Sequence, residues 1–400
     1  MRSIASLRSV VATPSYSAIR ARLRALEPFT QVQRAVTVAG LAPAMLVGCA
    51  VHERARVSLY IPAASAGPIG GGVMPAAQVV EFEKIVRPPA PQGLVSALDS
   101  LTRNFSGIVG VAVASVDNGW TAASNGERKL PQQSVSKLWV AMTVLDQRDQ
   151  GRISLDDPIT VTRDDFTLFH QPVAALVKGD GYHTTVGELL KRALTMSDNT
   201  CNDKLLRYVG GPDAVRAFIA RHGLGSIRFG PGEKLLQSGT AGLQWKPEYA
   251  TGNAFAVARS RLSPDVRRAA FEAYIADPPD GAAPLAIAEA LAKLRRGELL
   301  SPDSTAWLIS TMEAAKTGRA RVHGAVPPGW SYGHKTGTGQ DFGARIAGYN
   351  DVGILIAPNG NTYTLAVMIG DTTRPIPARQ QLMQGVARAI VAYWTAEHGM

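Results

Sequence analysis

Cysteine is nearly absent: Cys49 and Cys201 are the two in 400 residues, which excludes a disulfide framework and any zinc site built from several thiolates. Seven histidines occur without H-E-x-x-H or a close pair, so no metal centre and no resident cofactor are expected. Aromatic residues make up 6% of the chain, and no stretch interleaves them with a basic cluster as single-strand nucleic-acid binders do. The net charge of +10 is unevenly placed. Residues 1–91 hold ten Arg and Lys against four acids, which leaves only +4 for the other 309 residues, and no nucleic-acid partner is expected. What is present, 46% hydrophobic and 18% charged residues at a mean hydropathy of zero, describes a globular chain rather than a fibrous, disordered or polytopic membrane protein.

The first ninety residues differ from the rest. Arg20, Arg22, Arg24 and Arg34 precede an uncharged run, Ala35 to Val51, that contains Leu46-Val47-Gly48-Cys49. The run is broken by Pro43 and falls short of the ~20 apolar residues a spanning helix needs. It resembles a bacterial lipoprotein signal, with residues 1–48 as the export segment and Cys49 as the lipidation site. That implies an exported, periplasmic protein anchored to the membrane through Cys49. The departure is length, since signals span about 15–30 residues; a basic tail with an incidental cysteine is the alternative. Residues 49–91, rich in Pro, Gly and Ala, read as a tether, and Gly70 to Gly72 lack the spacing of a dinucleotide site.

From Gln92 the pattern is globular to the C-terminus. Leu94 to Phe105 has helical spacing, and Ile108 to Val116 is a strand ending at Asp117-Asn118-Gly119. Helices are expected over 136–150, 186–209, 212–222, 284–296 and 377–398, and strands over 353–357 and 362–369. This order implies an α/β (α+β) domain: a sheet assembled from both chain ends, and a helical lobe over about residues 134–300.

Three short motifs carry chemistry. Ser134 and Lys137 are three apart at the start of the apolar helix KLWVAMTVL, on one helix face, where backbone N–H groups favour a developing anion. Alone, S-x-x-K is weak, and its ordinary form is a helix cap followed by a surface lysine. Ser197-Asp198-Asn199 follows 63 residues after Ser134, and Lys335-Thr336-Gly337 another 138 beyond Ser197. S-x-x-K, S-D-N and K-T-G in this order are the signature of class A β-lactamases and penicillin-binding proteins. The chain resembles that family from about Gln92 to Trp394, through TVGELL, Gly210-Gly211-Pro212, Gly297-Glu298-Leu299-Leu300, Pro328-Gly329-Trp330 and Asn350-Asp351-Val352-Gly353.

The resemblance implies a β-lactamase/transpeptidase-like fold, an antiparallel sheet flanked by helices plus an all-helical lobe, and a monomeric enzyme with a β-lactam as its small-molecule substrate. It implies Ser134 as nucleophile, Lys137, Ser197 and Lys335 as catalytic partners, and the N–H groups of Ser134 and Thr338 as oxyanion hole. Thr336, Gly337, Thr338 and Arg321 would hold the substrate carboxylate, with Arg345 the alternative arginine, and Asn199 the side-chain amide. Glu233-Lys234-Leu235-Leu236-Gln237, 36 residues after Ser197, supplies a deacylating base, Glu233, and a water-holding amide, Gln237. Trp245-Lys246-Pro247-Glu248 competes for that place. Asp203 stands where most relatives have a loop-bracing asparagine, and the segment from Gln237 to Pro284 is longer than the common pattern. His170 replaces an aromatic at the substrate entrance and reads as a rim stacking group; Cys201 reads as a packing residue. A D-Ala-D-Ala carboxypeptidase or esterase on the same scaffold, or a sensor that stays acylated, are the alternative functions.

Overall fold

A computed structural model describes residues 88–399; the export segment, Cys49 and nearly all of the tether lie outside the described residues. Helix α1 (Gln92–Arg103) begins where the apolar periodicity begins. Five strands follow in two groups, β1 (Ile108–Ser115) and β2 (Thr121–Ser124), then β3 (Ser331–Thr338), β4 (Tyr349–Ile356) and β5 (Thr362–Asp371). They form one antiparallel sheet in the order β2-β1-β5-β4-β3, so the two ends of the chain meet at the β1–β5 pair, with Ala112 opposite Ala366.

Both faces of the sheet are covered, and the period-2 alternation of β1 shows why. Val109, Val111 and Val113 pack with α1 and with the last helix. Gly110, Ala112 and Ala114 face the other way, where small residues let a helix approach closely: a Cβ on Gly110 would lie 2.8 Å from Pro284 Cγ.

The lobe between the two strand groups holds α2 (Lys137–Asp149), α3 (Val186–Thr195), α4 (Asn199–Tyr208), α5 (Gly211–Arg221), α6 (Glu233–Thr240), α7 (Ala254–Arg261), α8 (Pro264–Ala276) and α9 (Pro284–Arg295). Then come α10 (Pro302–Glu313), packed on β3, and α11 (Ile376–Glu397), the last helix. Helix α2 is buried on every side from Lys137 to Gln147, as expected for a helix apolar all round, and α3, α4, α5 and α10 surround it. Helix α9 turns Ala288 and Ala292 to the small face of β1.

Two expectations change. The continuous helix expected over 186–209 breaks into α3 and α4, because Ser197 adopts φ 60° and the buried Asp198 caps α4 through Oδ1, which accepts from Cys201 N at 2.9 Å. The turn that starts the S-x-x-K segment is a 3₁₀ turn over Gln133–Ser136, with α2 starting at Lys137 itself. The long segment 238–283 is not a bare loop: it folds into α7 and α8, whose Phe271, Tyr274 and Ile275 pack with Leu236 of α6. Among the described residues no helix is long and apolar enough to cross a membrane.

Candidate active site

The turn that carries Ser134 is held from behind. Gln133, at φ 54°, donates its N–H to Asp280 Oδ2 (2.7 Å) and its amide to Tyr274 OH (2.6 Å), while Gln132 donates to Arg228 O (2.8 Å) and accepts from Trp139 Nε1 (2.6 Å). Ser134 is the one residue from Pro131 to Val140 that is not buried. Strand β3 lies tightly against this turn, since a Cβ on Gly337 would come within 2.3 Å of Gln132 O; the glycine of K-T-G is there to let two backbones touch. Asn350 of β4 ties the same turn by donating to Pro131 O (2.7 Å) and Gln132 O (3.1 Å).

Lys137 joins the motifs. Its side chain is fully buried, and Nζ donates to Ser134 Oγ (2.8 Å), to Asn199 Oδ1 (2.9 Å) and to Glu233 Oε1, which satisfies all three ammonium hydrogens. Lys335 Nζ donates to Ser197 Oγ (2.8 Å) and to Thr336 O (2.9 Å), and burial, followed by the charges of Lys137 and Arg321, holds its ammonium well below the ordinary lysine range. The positive φ of Ser197 belongs to this arrangement: at the break between α3 and α4, its hydroxyl meets Lys335. The charged groups are buried, whereas Ser134, Ser197 and Thr338 keep solvent exposure, so the accessible face of the site is hydroxyls backed by ammonium groups.

Glu233 is the first residue of α6 and is 4% exposed. Asp203 of α4 caps that helix from across the site: its carboxylate accepts from Glu233 N (2.9 Å) and Lys234 N (3.2 Å). Burial, with the Glu233 charge second, pushes the Asp203 carboxyl up to about 6. A carboxyl raised in the folded state contributes stability that is fully present below its unfolded-chain value near 3.9 and is lost as pH rises through about 6. The wild type is therefore expected to gain stability relative to Asp203→Asn as pH falls from 7 to 4, by up to about 3 kcal/mol. Paired thermal melts across that window check this; a pH-independent difference would show that the side chain does not titrate there.

The other sequence candidates fall into place unevenly. Lys246 and Glu248 of the competing motif are exposed and face each other at 4.0 Å, whereas Glu233 is on Lys137. Gln237, expected to hold water, has its amide taken: Nε2 donates to Gln133 Oε1 (2.9 Å) and Glu233 Oε2 (3.2 Å), and Oε1 accepts from Gln340 (3.0 Å). Arg321, expected to clasp a substrate carboxylate, braces β3 instead, because a buried guanidinium must find acceptors inside. Nη1 donates to Gly337 O (3.0 Å) and Asn350 O (2.5 Å), Nη2 orients Thr338 Oγ1 (2.6 Å), and the group stacks on Tyr349 at 3.8 Å. Arg345 is held by Glu272 and Asp371. Thr336 Oγ1 pairs with Thr317 Oγ1 (2.9 Å), and Asn199 Nδ2 donates to Leu168 O (2.8 Å). His170, expected as a rim stacking group, is exposed, and its carbonyl accepts from Asn199 N (2.9 Å). Cys201 is fully buried, its thiol pushed up by burial and by Asp198.

Gln133, Tyr274, Asp280 and Gln340 were not singled out from the sequence. Together with Gln237 they form a buried chain of side-chain hydrogen bonds from Glu233 to Asp280, whose carboxyl burial raises to about 6. Adjacency to Ser134 was the only sequence signal, and it pointed to Gln133 alone. Among the described residues no cluster of His, Cys, Asp and Glu could hold a metal ion.

The chain matches the beta-lactamase enzyme family over residues 93–394. It is 27% identical over 296 residues to the extended-spectrum beta-lactamase PER-1 of Pseudomonas aeruginosa, covering 74% of this chain and 85% of that protein. Beta-lactamase CTX-M-97 of Escherichia coli is 24% identical over 293 residues, 73% of this chain and 86% of that protein. Among solved structures, a beta-lactamase from Chitinophaga pinensis aligns with a TM-score of 0.63 at 26% identity, over 76% of this chain and 99% of its own. An ancestral class A beta-lactamase aligns with a TM-score of 0.59 at 30% identity, over 75% and 99%.

Proposed function

Because the chain belongs to the beta-lactamase enzyme family, as a class A serine enzyme that hydrolyses β-lactams through an acyl-serine, we propose that Ser134 is its nucleophile. The observation that carries this reading is the triple contact of Lys137 Nζ with Ser134 Oγ, Asn199 Oδ1 and Glu233 Oε1. Transfer of one ammonium proton to Glu233 leaves a neutral amine that takes the Ser134 Oγ proton; alternatively Glu233 takes it through a water. Oγ then bonds to the lactam carbonyl carbon, and the Ser134 and Thr338 N–H groups receive the oxyanion.

As the C–N bond breaks, Ser197, its hydroxyl polarised by Lys335, passes its proton to the departing nitrogen and is reprotonated with the proton that Lys137 took from Ser134, after which Glu233 returns its proton to Lys137. Lys335 and the Thr336, Gly337 and Thr338 stretch of β3 receive the substrate carboxylate, with Arg321 acting through the Thr338 hydroxyl that it orients. Asn199, which has one amide hydrogen beyond its bond to Leu168 O, takes the substrate's side-chain amide. Glu233 then activates the water that releases the acyl group, and Gln237 fixes its Oε2 while Asp203 fixes its backbone.

Steady-state hydrolysis of a chromogenic cephalosporin by the full chain tests the assignment: Ser134→Ala is expected to lose covalent turnover entirely, and residual hydrolysis with saturation would refute Ser134 as nucleophile. For location, we propose export with lipid attachment at Cys49, a reading supported by the arginines ahead of Leu46-Val47-Gly48-Cys49. Cys49→Ala is expected to move the protein from the membrane to the soluble fraction; unchanged partition would overturn the anchor.

A further inference from the structure

One hydroxyl from the long segment 238–283 reaches the hydrogen bonds around Glu233. Tyr274 of α8 is 4% exposed, its ring clustered with Phe271, Ile275 and Leu236, and its oxygen lies between Gln133 and Asp280. Asp280 Oδ2 accepts from Tyr274 OH (3.2 Å) and from Gln133 N (2.7 Å), and the phenol oxygen accepts from Gln133 Nε2 (2.6 Å). The bonds continue toward the acid: Gln133 Oε1 accepts from Gln237 Nε2 (2.9 Å), which also donates to Glu233 Oε2 (3.2 Å). All five side chains are buried, where a hydrogen bond left unmade costs the full desolvation of the group.

These bonds have a direction, and the phenol sets it. A carboxamide donates at nitrogen and accepts at oxygen, so either glutamine would be reversed by a half turn of its amide. A carboxylate only accepts, and a phenol donates one hydrogen, so the hydrogen of Tyr274 goes to Asp280 and its oxygen is left to accept. Both groups are in the required state at neutral pH: burial pushes Asp280 up only to about 6, and burial holds the Tyr274 phenol well above its ordinary value. Gln133 therefore points its nitrogen at Tyr274 and its oxygen at Gln237, and Gln237 points its nitrogen at Glu233. Gln340 holds the far end of the second amide in the same sense, its Nε2 donating to Gln237 Oε1 (3.0 Å) and Gln237 O (2.7 Å). Glu233 is thus gripped at both oxygens, by the Lys137 ammonium at Oε1 and at Oε2 by an amide whose orientation traces back to Tyr274.

We propose that Tyr274 is a positioning residue for deacylation: its hydroxyl fixes the sense of the Gln133 and Gln237 amides, and through them the donor that orients Glu233 toward the hydrolytic water. The inference rests on the β-lactamase reading and deepens it, and it gives the segment 238–283 a part in the reaction. Without the hydroxyl, the Gln133 amide either leaves a buried donor unpaired or turns over. Turned over, its nitrogen faces the nitrogen of Gln237, and Gln237 is driven off Glu233. Acylation through Lys137 is spared, because Lys137 keeps its bond to Ser134 Oγ and Asp280 keeps its bond to Gln133 N.

The test uses the full chain and a chromogenic cephalosporin. In Tyr274→Phe, decay of the acyl adduct, followed by quenched-flow intact-protein mass spectrometry, is expected to slow roughly tenfold, while kcat/KM, which reports the steps up to acylation, stays within about twofold of the wild type. Phe271→Leu alters a neighbour on the same helix that makes no bond in this chain of groups; it should lower the melting temperature and leave adduct decay unchanged. Once Gln237→Ala has cut the chain of bonds, adding Tyr274→Phe should slow decay no further. Gln133→Met cuts it at another link, reads the same effect if Tyr274→Phe does not fold, and is expected to slow decay likewise. Unchanged adduct decay in either single variant, a fall in kcat/KM as large as the fall in decay rate, or a further tenfold loss in the Gln237→Ala background overturns the proposal. A wild type that acylates without releasing product refutes the β-lactamase reading and this role together, whereas any of those outcomes in an enzyme whose wild type turns over refutes the role of Tyr274 alone.

Discussion

Glu233→Ala is expected to convert the enzyme into a trap: one rapid burst on a chromogenic cephalosporin, then a stalled adduct on Ser134, with kcat lower by about 10³-fold. The geometry dictates the asymmetry between the two half-reactions. Lys137 keeps its contacts to Ser134 Oγ and Asn199 Oδ1 when the carboxylate is removed, so Ser134, the proposed nucleophile, retains a positioned partner for acylation. Water has no comparable substitute. Both remaining candidates in the neighbouring segment, Lys246 and Glu248, are solvent-exposed, and the amide of Gln237 cannot accept a proton from water at neutral pH. Intact-protein mass spectrometry should show the mass of the opened antibiotic persisting on the variant and vanishing from the wild type. Sustained turnover by Glu233→Ala would remove Glu233 as the deacylating base.

Lys137→Met is expected to fail earlier and to unfold sooner. Acylation should fall by about 10³–10⁴-fold, because the one side chain that, among the described residues, hydrogen-bonds Ser134 Oγ is gone. Stability should fall as well, by about 3–5 kcal/mol, since Glu233 is left as a buried carboxylate without its counter-charge. The two effects separate in the double variant. Lys137→Met/Glu233→Gln removes the stranded charge and should recover much of the lost melting temperature while remaining inactive. If the double variant is no more stable than Lys137→Met alone, the pair is not the electrostatic unit described above.

The chemistry was legible in the sequence because it depends on residue types at short range. S-x-x-K, S-D-N and K-T-G each occupy three or four consecutive residues, and an E-x-x-L-Q stretch marks the start of one helix. The sheet was legible for a similar reason: β1 and β5 are apolar runs with turn residues at their ends, and their positions near the two termini imply pairing across the chain. Local pattern failed where a single backbone angle mattered. Nothing in the helical spacing from Val186 to Val209 announces that Ser197 turns to φ 60° and that Asp198 restarts the helix, although an aspartate before a run of helix formers is a cap signal in hindsight.

Long-range matters were closed to the sequence. Arg321 could be placed fourteen residues before Lys335 but not behind β3, because burial of a guanidinium is settled by which carbonyls the sheet leaves facing it. The segment 238–283 could be recognised as extra length but not as the source of Tyr274, which reaches Gln133 across 141 residues of chain, or of Phe255, which meets Phe169 edge to face. By itself the sequence determined the reaction class, and identity and spacing singled out the serines, lysines and glutamate to which the proposed steps are given. Only the tertiary structure decided which of two acidic motifs lies on Lys137 and how Asp203 holds that acid, because each of these depends on close packing between segments that are distant in the chain.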